Sequence, residues 1–273
     1  MKNAERMLVA SLKRYAVSRG IELQMLSGDW AASLTKAGRR HLVFGYDLGL
    51  NSSAASRIAS DKGATYDVLT ASGLPALEHR VFMHPRFLDF MPADGNWPAM
   101  LETFARFGRD AVIKDNEGTG GLDVYRVGSL TQLEQKAQQL FQIARAVALS
   151  PFVTIEEETR FVMIEQGCVL AYAKERAPGS SEWRHNLGLG AKARRLDAGA
   201  PELAARLTLA REAMAALTLR FASIDVITVK GAPMVLEANG GVMLEVASGP
   251  DFGGAGLADR IYGQALDLAL RDQ

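Results

Sequence analysis

Ser223-Ile-Asp-Val-Ile-Thr-Val-Lys-Gly-Ala-Pro-Met-Val-Leu-Glu-Ala-Asn239 is the stretch that decides the fold. Two apolar-rich runs flank Lys230-Gly-Ala-Pro233, so the stretch predicts a β-hairpin. Side chains two residues apart on a strand point to the same face of a sheet, which places Glu237 and Asn239 together. On both strands apolar residues separate the polar ones. This pattern favours a built site over the alternative, a solvent-facing strand edge with ordinary charges.

The register of this hairpin predicts a pair of facing carboxylates. If Val229 lies opposite Pro233, Asp225 falls directly opposite Glu237. Like charges that face each other destabilise a sheet unless a cation lies between them. A few oxygen ligands on rigid strands, with coordination positions left open, are typical of a magnesium site. We therefore predict that Asp225, Glu237 and Asn239 are metal ligands.

A second polar segment begins at Lys114 and continues as Asp115-Asn-Glu-Gly-Thr-Gly-Gly121. A lysine at the end of a predicted strand, next to glycines whose backbone amides can approach a ligand closely, suits phosphate oxygens. The segment is not a P-loop, because its lysine precedes the glycines instead of following them. The alternative is a surface hairpin turn.

Composition limits the classes of function. The chain has 273 residues, of which 48% are hydrophobic and 23% are charged, as in ordinary globular proteins. Its 31 Lys and Arg balance 31 Asp and Glu, so we expect no nucleic-acid partner. We find no secretory segment and no apolar run near the roughly 18 residues of a membrane span. The single Cys168 excludes an internal disulfide and favours a cytoplasmic, reducing compartment.

Helical and strand patterns alternate along the chain. Ser129 with Gln132 forms a capping box at the start of one predicted helix. The other helices are predicted at about 4–19, at 64–72 and from Pro201 onward. The predicted strands, besides the hairpin, lie at 21–26, 41–46, 111–113, 152–154, 160–164 and 168–173. This mixture, with some strands in hairpins, predicts an α+β architecture.

Taken in order, these pieces resemble an ATP-grasp ligase. The resemblance covers about residues 56–247. It rests on five matching segments: Asp61-Lys62 with Gly73-Leu-Pro75, Val112 to Gly121, Glu156 to Glu158 with Arg160-Phe-Val162, Arg176 with His185-Asn-Leu187, and the group Asp225, Glu237 and Asn239.

The resemblance implies an ATP-grasp fold, in which two α+β subdomains grip ATP, with a shortened N-terminal α/β region. On this basis residues 1–60 form the N-terminal region, residues 61–154 form the lid subdomain, and residues 155–273 form the C-terminal subdomain with the metal site. ATP and Mg²⁺, or Mn²⁺ in its place, are the implied cofactors.

The resemblance also implies a role for each matching residue. Lys62 and Lys114 would contact ATP phosphates or order the lid, the glycine loop would close over the phosphates, residues 155–157 would contact adenine, and Glu158 would accept the ribose hydroxyls. Arg176 and Asn186 would face the transferred phosphoryl group or the acyl phosphate, and Lys114 is a further catalytic candidate. The implied ATP-binding residues are Lys62, Lys114, Gly118, Thr119, Gly120, Gly121, Ile155, Glu156, Glu157 and Glu158, and the implied metal ligands are Asp225, Glu237 and Asn239.

The implied activity is that of an ATP-dependent carboxylate–amine ligase, which forms an amide or peptide bond through an acyl phosphate and releases ADP and phosphate. The group it resembles includes glutathione synthetase, cyanophycin synthetase and the glutamate ligases that modify ribosomal protein. Its partners are small-molecule or peptide substrates, with a homodimer as a further expectation. The alternatives are a non-catalytic ATP-binding regulatory module and a small-molecule kinase on the same scaffold.

Overall fold

The structure, a computed structural model, describes residues 5–90 and 97–271. Within these ranges twelve strands form three antiparallel sheets, and seven α-helices cover them. The strands are β1 Glu22–Leu26, β2 Ala31–Lys36, β3 Arg39–Phe44, β4 Arg80–Met83, β5 Ala111–Asp115, β6 Val124–Val127, β7 Ala146–Pro151, β8 Glu157–Ile164, β9 Gly167–Glu175, β10 Lys192–Leu196, β11 Phe221–Val229 and β12 Ala232–Asn239. The helices are α1 Met7–Arg19, α2 Ser53–Ser60, α3 Lys62–Ala71, α4 Trp97–Arg106, α5 Leu130–Phe141, α6 Ala204–Ala216 and α7 Ala255–Arg271. The predicted α+β class is confirmed.

The first sheet has the order β1-β2-β3 and follows α1 directly. Gly20 ends α1 with a left-handed backbone angle, φ 60°, which glycine adopts without strain. The strands predicted at 21–26 and 41–46 correspond to β1 and β3. The sequence analysis did not predict β2.

The second sheet has the order β4-β7-β5-β6, with α4 and α5 packed on it. Ser129 caps α5 as predicted, because its Oγ accepts a hydrogen bond from the Gln132 amide at 3.2 Å. The prediction of a strand at 152–154 is wrong. The strand in this region, β7, ends at Pro151.

The third sheet has the order β10-β9-β8-β11-β12 and separates two hydrophobic cores. One face carries Phe161 and Ile224 against α6. The other face carries Val162 and Tyr172, which share a core with α1, the first sheet and α7. Residues before 60 therefore pack on the C-terminal part of the chain, and the domain boundaries at 60 and 154 stay predictions.

The two strands of the β11–β12 hairpin pair as predicted, but the turn that joins them is shorter than predicted. Only Lys230 and Gly231 connect the strands, both with positive φ, so Val229 lies opposite Ala232 and not Pro233. A β-bulge after Asp225 shifts the register by one residue, and Asp225 faces Glu237 as expected.

Candidate active site

A cleft between the second and third sheets encloses about 750 Å³ of empty space, part of it open to solvent. The predicted site residues that line the cleft are Lys62, Lys114, Gly118, Thr119, Gly120, Gly121, Ile155, Glu158, Asn186 and Glu237. The predicted residues outside this lining are Glu156, Glu157, Arg176, Asp225 and Asn239.

Two lysines lie at one end of the cleft. Lys114 on β5 is buried, and its ammonium group has no hydrogen-bond partner among the residues that the structure describes. Burial, followed by repulsion from Lys62, lowers the pKa of Lys114 to about 8. A buried cation without a partner creates a favourable position for an anion that enters the cleft.

Lys62, the first residue of α3, holds the glycine loop. Its Nζ donates to the carbonyl oxygens of Asn116 at 2.9 Å and Gly118 at 2.7 Å. Burial lowers the pKa of Lys62 as well. The ammonium group thus fixes the start of the loop and adds positive charge beside Lys114.

The glycine loop contacts the segment that follows β9. Gly121 has φ 73°, and a Cβ atom there would lie 2.3 Å from Asn186 Cγ. The Arg184 guanidinium donates to the Gly121 carbonyl at 3.1 Å. Only glycine permits this approach, which brings Asn186 to the cleft as the sequence predicted.

Of the three residues predicted to contact adenine, Ile155 to Glu157, only Ile155 lines the cleft. Glu156 accepts a hydrogen bond from the Gly231 amide at 3.1 Å, and Glu157, 57% exposed at its side chain, pairs with Arg206. The cleft wall consists instead of residues 150–153 and Ile155. Residues 152, 153 and 155 line the cleft rather than belong to a sheet because the chain leaves the sheet at Pro151, before the strand predicted at 152–154.

Two aromatic side chains form the wall near this bend. Phe152 contacts Trp183 edge to face, with ring centroids 5.5 Å apart, and Arg126 lies 3.5 Å from the Phe152 ring centroid. Flat rings of this kind suit a planar heterocycle. Neither ring was predicted from the sequence, because the two residues are far apart along the chain.

Five buried or half-buried charges continue across the third sheet. Lys174 Nζ lies 2.6 Å from Glu158 Oε1 and 2.8 Å from Asp225 Oδ2. Arg160 donates two hydrogen bonds of 2.6 Å to the Asp225 carboxylate and lies 3.6 Å from Glu237. The carboxylates therefore alternate with cations along the chain of charges.

The cations of this network shift the pKa values of the neighbouring carboxyl groups. Burial alone would raise the pKa of Asp225, but Arg160 and Lys174 outweigh burial and keep that pKa well below its usual range. Burial raises the pKa of Glu158, which Lys174 only partly offsets. Glu158 Oε1 is thus bonded to Lys174, while Glu158 also lines the cleft, and its implied role as the ribose acceptor stays a prediction.

The predicted metal ligands differ in their surroundings. Glu237 and Asn239 lie on one face of β12, with Asn239 Nδ2 3.4 Å from Glu237 Oε1, and both keep oxygens that a divalent cation can use. Asp225 is fully buried, and both its oxygens accept hydrogen bonds from cations. Within residues 5–90 and 97–271, no three His, Cys, Asp or Glu side chains are arranged to hold a metal ion.

Arg176 does not reach the cleft. It is exposed, and its guanidinium donates to the Glu182 carbonyl at 3.4 Å. Arg184 lines the cleft instead, held by two 2.8 Å bonds from its guanidinium to the Glu182 carboxylate. The sequence could have pointed to Arg184, because this arginine lies only two residues before Asn186, a predicted site residue.

The fold is similar to several solved ligases. One is a D-alanine–D-alanine ligase from Bacillus anthracis (TM-score 0.60, 17% identity, covering 82% of this chain and 71% of that one). Another is a bifunctional glutathione synthetase from Pasteurella multocida (TM-score 0.61, 14% identity, covering 99% of this chain and 45% of that one). A D-cycloserine synthetase gives a TM-score of 0.57 at 22% identity, covering 77% and 71%. At these identities the likeness shows the fold.

The family follows from the sequence. No curated protein matches it significantly. Residues 93–252, more than half of the chain, match the model of the RimK-like ATP-grasp domain. The ATP-grasp fold predicted from the motifs is confirmed. No described helix is both long and apolar enough to cross a membrane. The chain belongs to the RimK-like ATP-grasp domain family.

Proposed function

We propose that the protein joins a carboxylate to an amine through an acyl phosphate, with ATP converted to ADP and phosphate. The observation that carries this proposal is Lys114, whose side chain is buried and whose ammonium group has no hydrogen-bond partner among the described residues, in a cleft that Glu237 also lines. This arrangement supplies a phosphate-binding cation at one wall and an oxygen ligand for a divalent ion at another.

Each part of ATP can be assigned to a part of the cleft lining. We assign adenine to the bend at residues 150–153, between Phe152 and Trp183. The phosphates lie beside Lys114 and under the loop Gly118–Gly121. Lys62 keeps that loop in place through its two carbonyl contacts. Arg184 and Asn186, on the other side of the loop, face the transferred phosphoryl group.

The order of chemical steps follows from charge. A carboxylate resists attack at neutral pH, so it first accepts the γ-phosphoryl group and becomes an acyl phosphate. The amine nitrogen then attacks the acyl carbon, and the bond from that carbon to the phosphate oxygen breaks. Lys114 and Arg184 stabilise the negative charge on the transferred group. The loop that closes at Gly121 keeps water from the acyl phosphate.

ATP-grasp ligases generally use ATP with Mg²⁺. Glu237 and Asn239 would hold that ion, or Mn²⁺ in its place. When bound, the ion neutralises phosphate charge and orients the nucleotide.

The substrate class is part of the proposal. Balanced charge over the whole chain argues against nucleic acid, and the family supports small-molecule or peptide substrates. We place the reaction in the cytoplasm, where the single Cys168 stays reduced. A homodimer stays a prediction.

A screen of amino acids and small dicarboxylates with ATP and Mg²⁺ tests this function. We expect ADP release that requires both a carboxylate and an amine, with an amide as product. Lys114→Met should abolish the release, whereas Lys36→Met, at the exposed tip of the first sheet, should not change it. ADP release with a hydroxyl acceptor and no amide would instead identify a kinase, and nucleotide binding without turnover would identify a regulatory module.

A further inference from the structure

The Asp225 carboxylate is closed to a metal ion. It is fully buried, Oδ1 accepts from Arg160 Nε at 2.6 Å, and Oδ2 accepts from Arg160 Nη2 at 2.6 Å and Lys174 Nζ at 2.8 Å. Three of the roughly four acceptor sites of this carboxylate are occupied, so an ion could bind Asp225 without close repulsion only if one of these cations left. That cation would then remain buried without its partner.

Lys174 occupies the position that a cation bridging Glu158 and Asp225 would occupy. Its ammonium group, 5% exposed at the side chain, lies between Glu158 Oε1 at 2.6 Å and Asp225 Oδ2 at 2.8 Å. One positive charge therefore serves two carboxylates that would otherwise repel each other. The lysine comes from β9, whereas Glu158 and Asp225 come from β8 and β11, so the three strands fix its place.

The charge balance argues in the same direction. Three carboxylates, Glu158, Asp225 and Glu237, alternate with two cations, Lys174 and Arg160, so the group carries one net negative charge. One divalent ion at Glu237 and Asn239 reverses that charge. A second ion beside Asp225 would lie within a few ångströms of both an ammonium and a guanidinium group, which repel it strongly in a buried site.

We propose that Lys174 and Arg160 take the place of a metal ion around Asp225, so that the nucleotide complex holds one divalent cation, at Glu237 and Asn239. The proposal rests on the nucleotide-dependent function above. It differs from the expectation that Asp225 is a metal ligand, and it assigns to Lys174 the positioning of two carboxylates.

Counting Mn²⁺ in the protein complex with a non-hydrolysable ATP analogue tests the proposal. The protein is kept in excess over the analogue, so that all analogue is bound, and free Mn²⁺ is followed by its electron paramagnetic resonance signal. We expect one tightly bound Mn²⁺ for each bound analogue. Two tightly bound ions would overturn the proposal. Failure of the analogue itself to bind, measured by calorimetry, would remove the proposed function and this inference with it.

Two variants test which residues determine the number of bound Mn²⁺ ions. Lys174→Met removes one of the two cations bonded to Asp225 and leaves Glu158 Oε1 without its partner, so we expect a second Mn²⁺ in this variant. Glu237→Gln should weaken the first Mn²⁺ more than about tenfold. Lys36→Met is the matched control and should leave the count at one. Circular dichroism establishes that each variant is folded, and a folded Lys174→Met protein that binds no second ion would contradict the role of Lys174.

Discussion

At the scale of single residues, the site depends on charges that the fold keeps out of water. Lys114 has lost most of its hydration and gained no partner, which is why its pKa falls to about 8. Asp225 is buried more completely but remains ionised, because Arg160 and Lys174 surround it. Lys114 can therefore bind an incoming anion, whereas the charge of Asp225 is already neutralised by its two partners.

The lowered pKa of Lys114 predicts that nucleotide affinity depends on pH. Lys62, Glu237 and Glu158 are the charged groups whose fields act on Lys114. The protonated lysine binds phosphate, so above pH 8 binding must first recover a proton and affinity falls. Between pH 7 and pH 9 we expect a loss of about tenfold in affinity for an ATP analogue, measured by calorimetry. Lys114→Arg, which stays charged, should bind with little change across that range, and an equal loss in both proteins would refute the assignment.

Removing the Asp225 charge should destabilise the protein strongly. Asp225→Asn leaves Lys174 and Arg160 buried beside a neutral amide, and we expect a cost of about 3–5 kcal/mol in the free energy of unfolding. Asp259→Asn breaks the half-exposed pair with Arg14 and should cost about 1 kcal/mol or less. Urea unfolding measures both. Equal effects would show that the buried network contributes no more than a surface pair.

At the scale of elements, the positions of the strands determine which residues line the cleft, more than any single sequence motif does. The Ser129 cap and the β11–β12 pairing were predictable because both depend on local sequence. The strand β7 was not, because Ala146-Val-Ala-Leu-Ser-Pro151 continues the apolar pattern of α5 and carries little β preference. Because β7 ends at Pro151, residues 150–153 line the cleft, whereas the segment predicted to contact adenine was residues 155–157.

The glycine loop offers a matched test at this scale. Gly120 and Gly121 have similar φ angles, 71° and 73°, so alanine at either position strains the backbone by about 1 kcal/mol. Only at Gly121 would the added Cβ strike Asn186. We expect Gly121→Ala to lower kcat/KM for substrate-dependent ADP release at least about tenfold more than Gly120→Ala. Equal losses would mean that the contact with Asn186 does not matter.

At the scale of the whole molecule, the N-terminal region is part of the C-terminal core. Leu12 and Leu34 share a core with Tyr172 of β9 and Tyr262 of α7. Periodicity predicted the individual helix and strands, but it carries no information on contacts between residues so distant in the chain. The sequence predicted a shortened N-terminal region, and in the structure the residues of this region pack on the third sheet and α7.

This shared core predicts a single unfolding transition for both parts. Leu12→Ala removes a buried side chain and should cost about 2–5 kcal/mol, with amide protection falling equally in β3 and β9 by hydrogen exchange. Leu42→Ala, exposed on the outer face of the first sheet, should cost less than about 0.5 kcal/mol. Loss of protection in β3 alone would show that the N-terminal region unfolds independently.

The acyl phosphate is the central claim, and one isotope measurement tests it most directly. A carboxylate substrate identified in the screen is labelled with ¹⁸O in its carboxyl group and turned over with ATP and the amine. The account predicts that one ¹⁸O atom appears in each phosphate released, because that oxygen bridges carbon and phosphorus in the intermediate. Amide formation with phosphate that carries no ¹⁸O would contradict it.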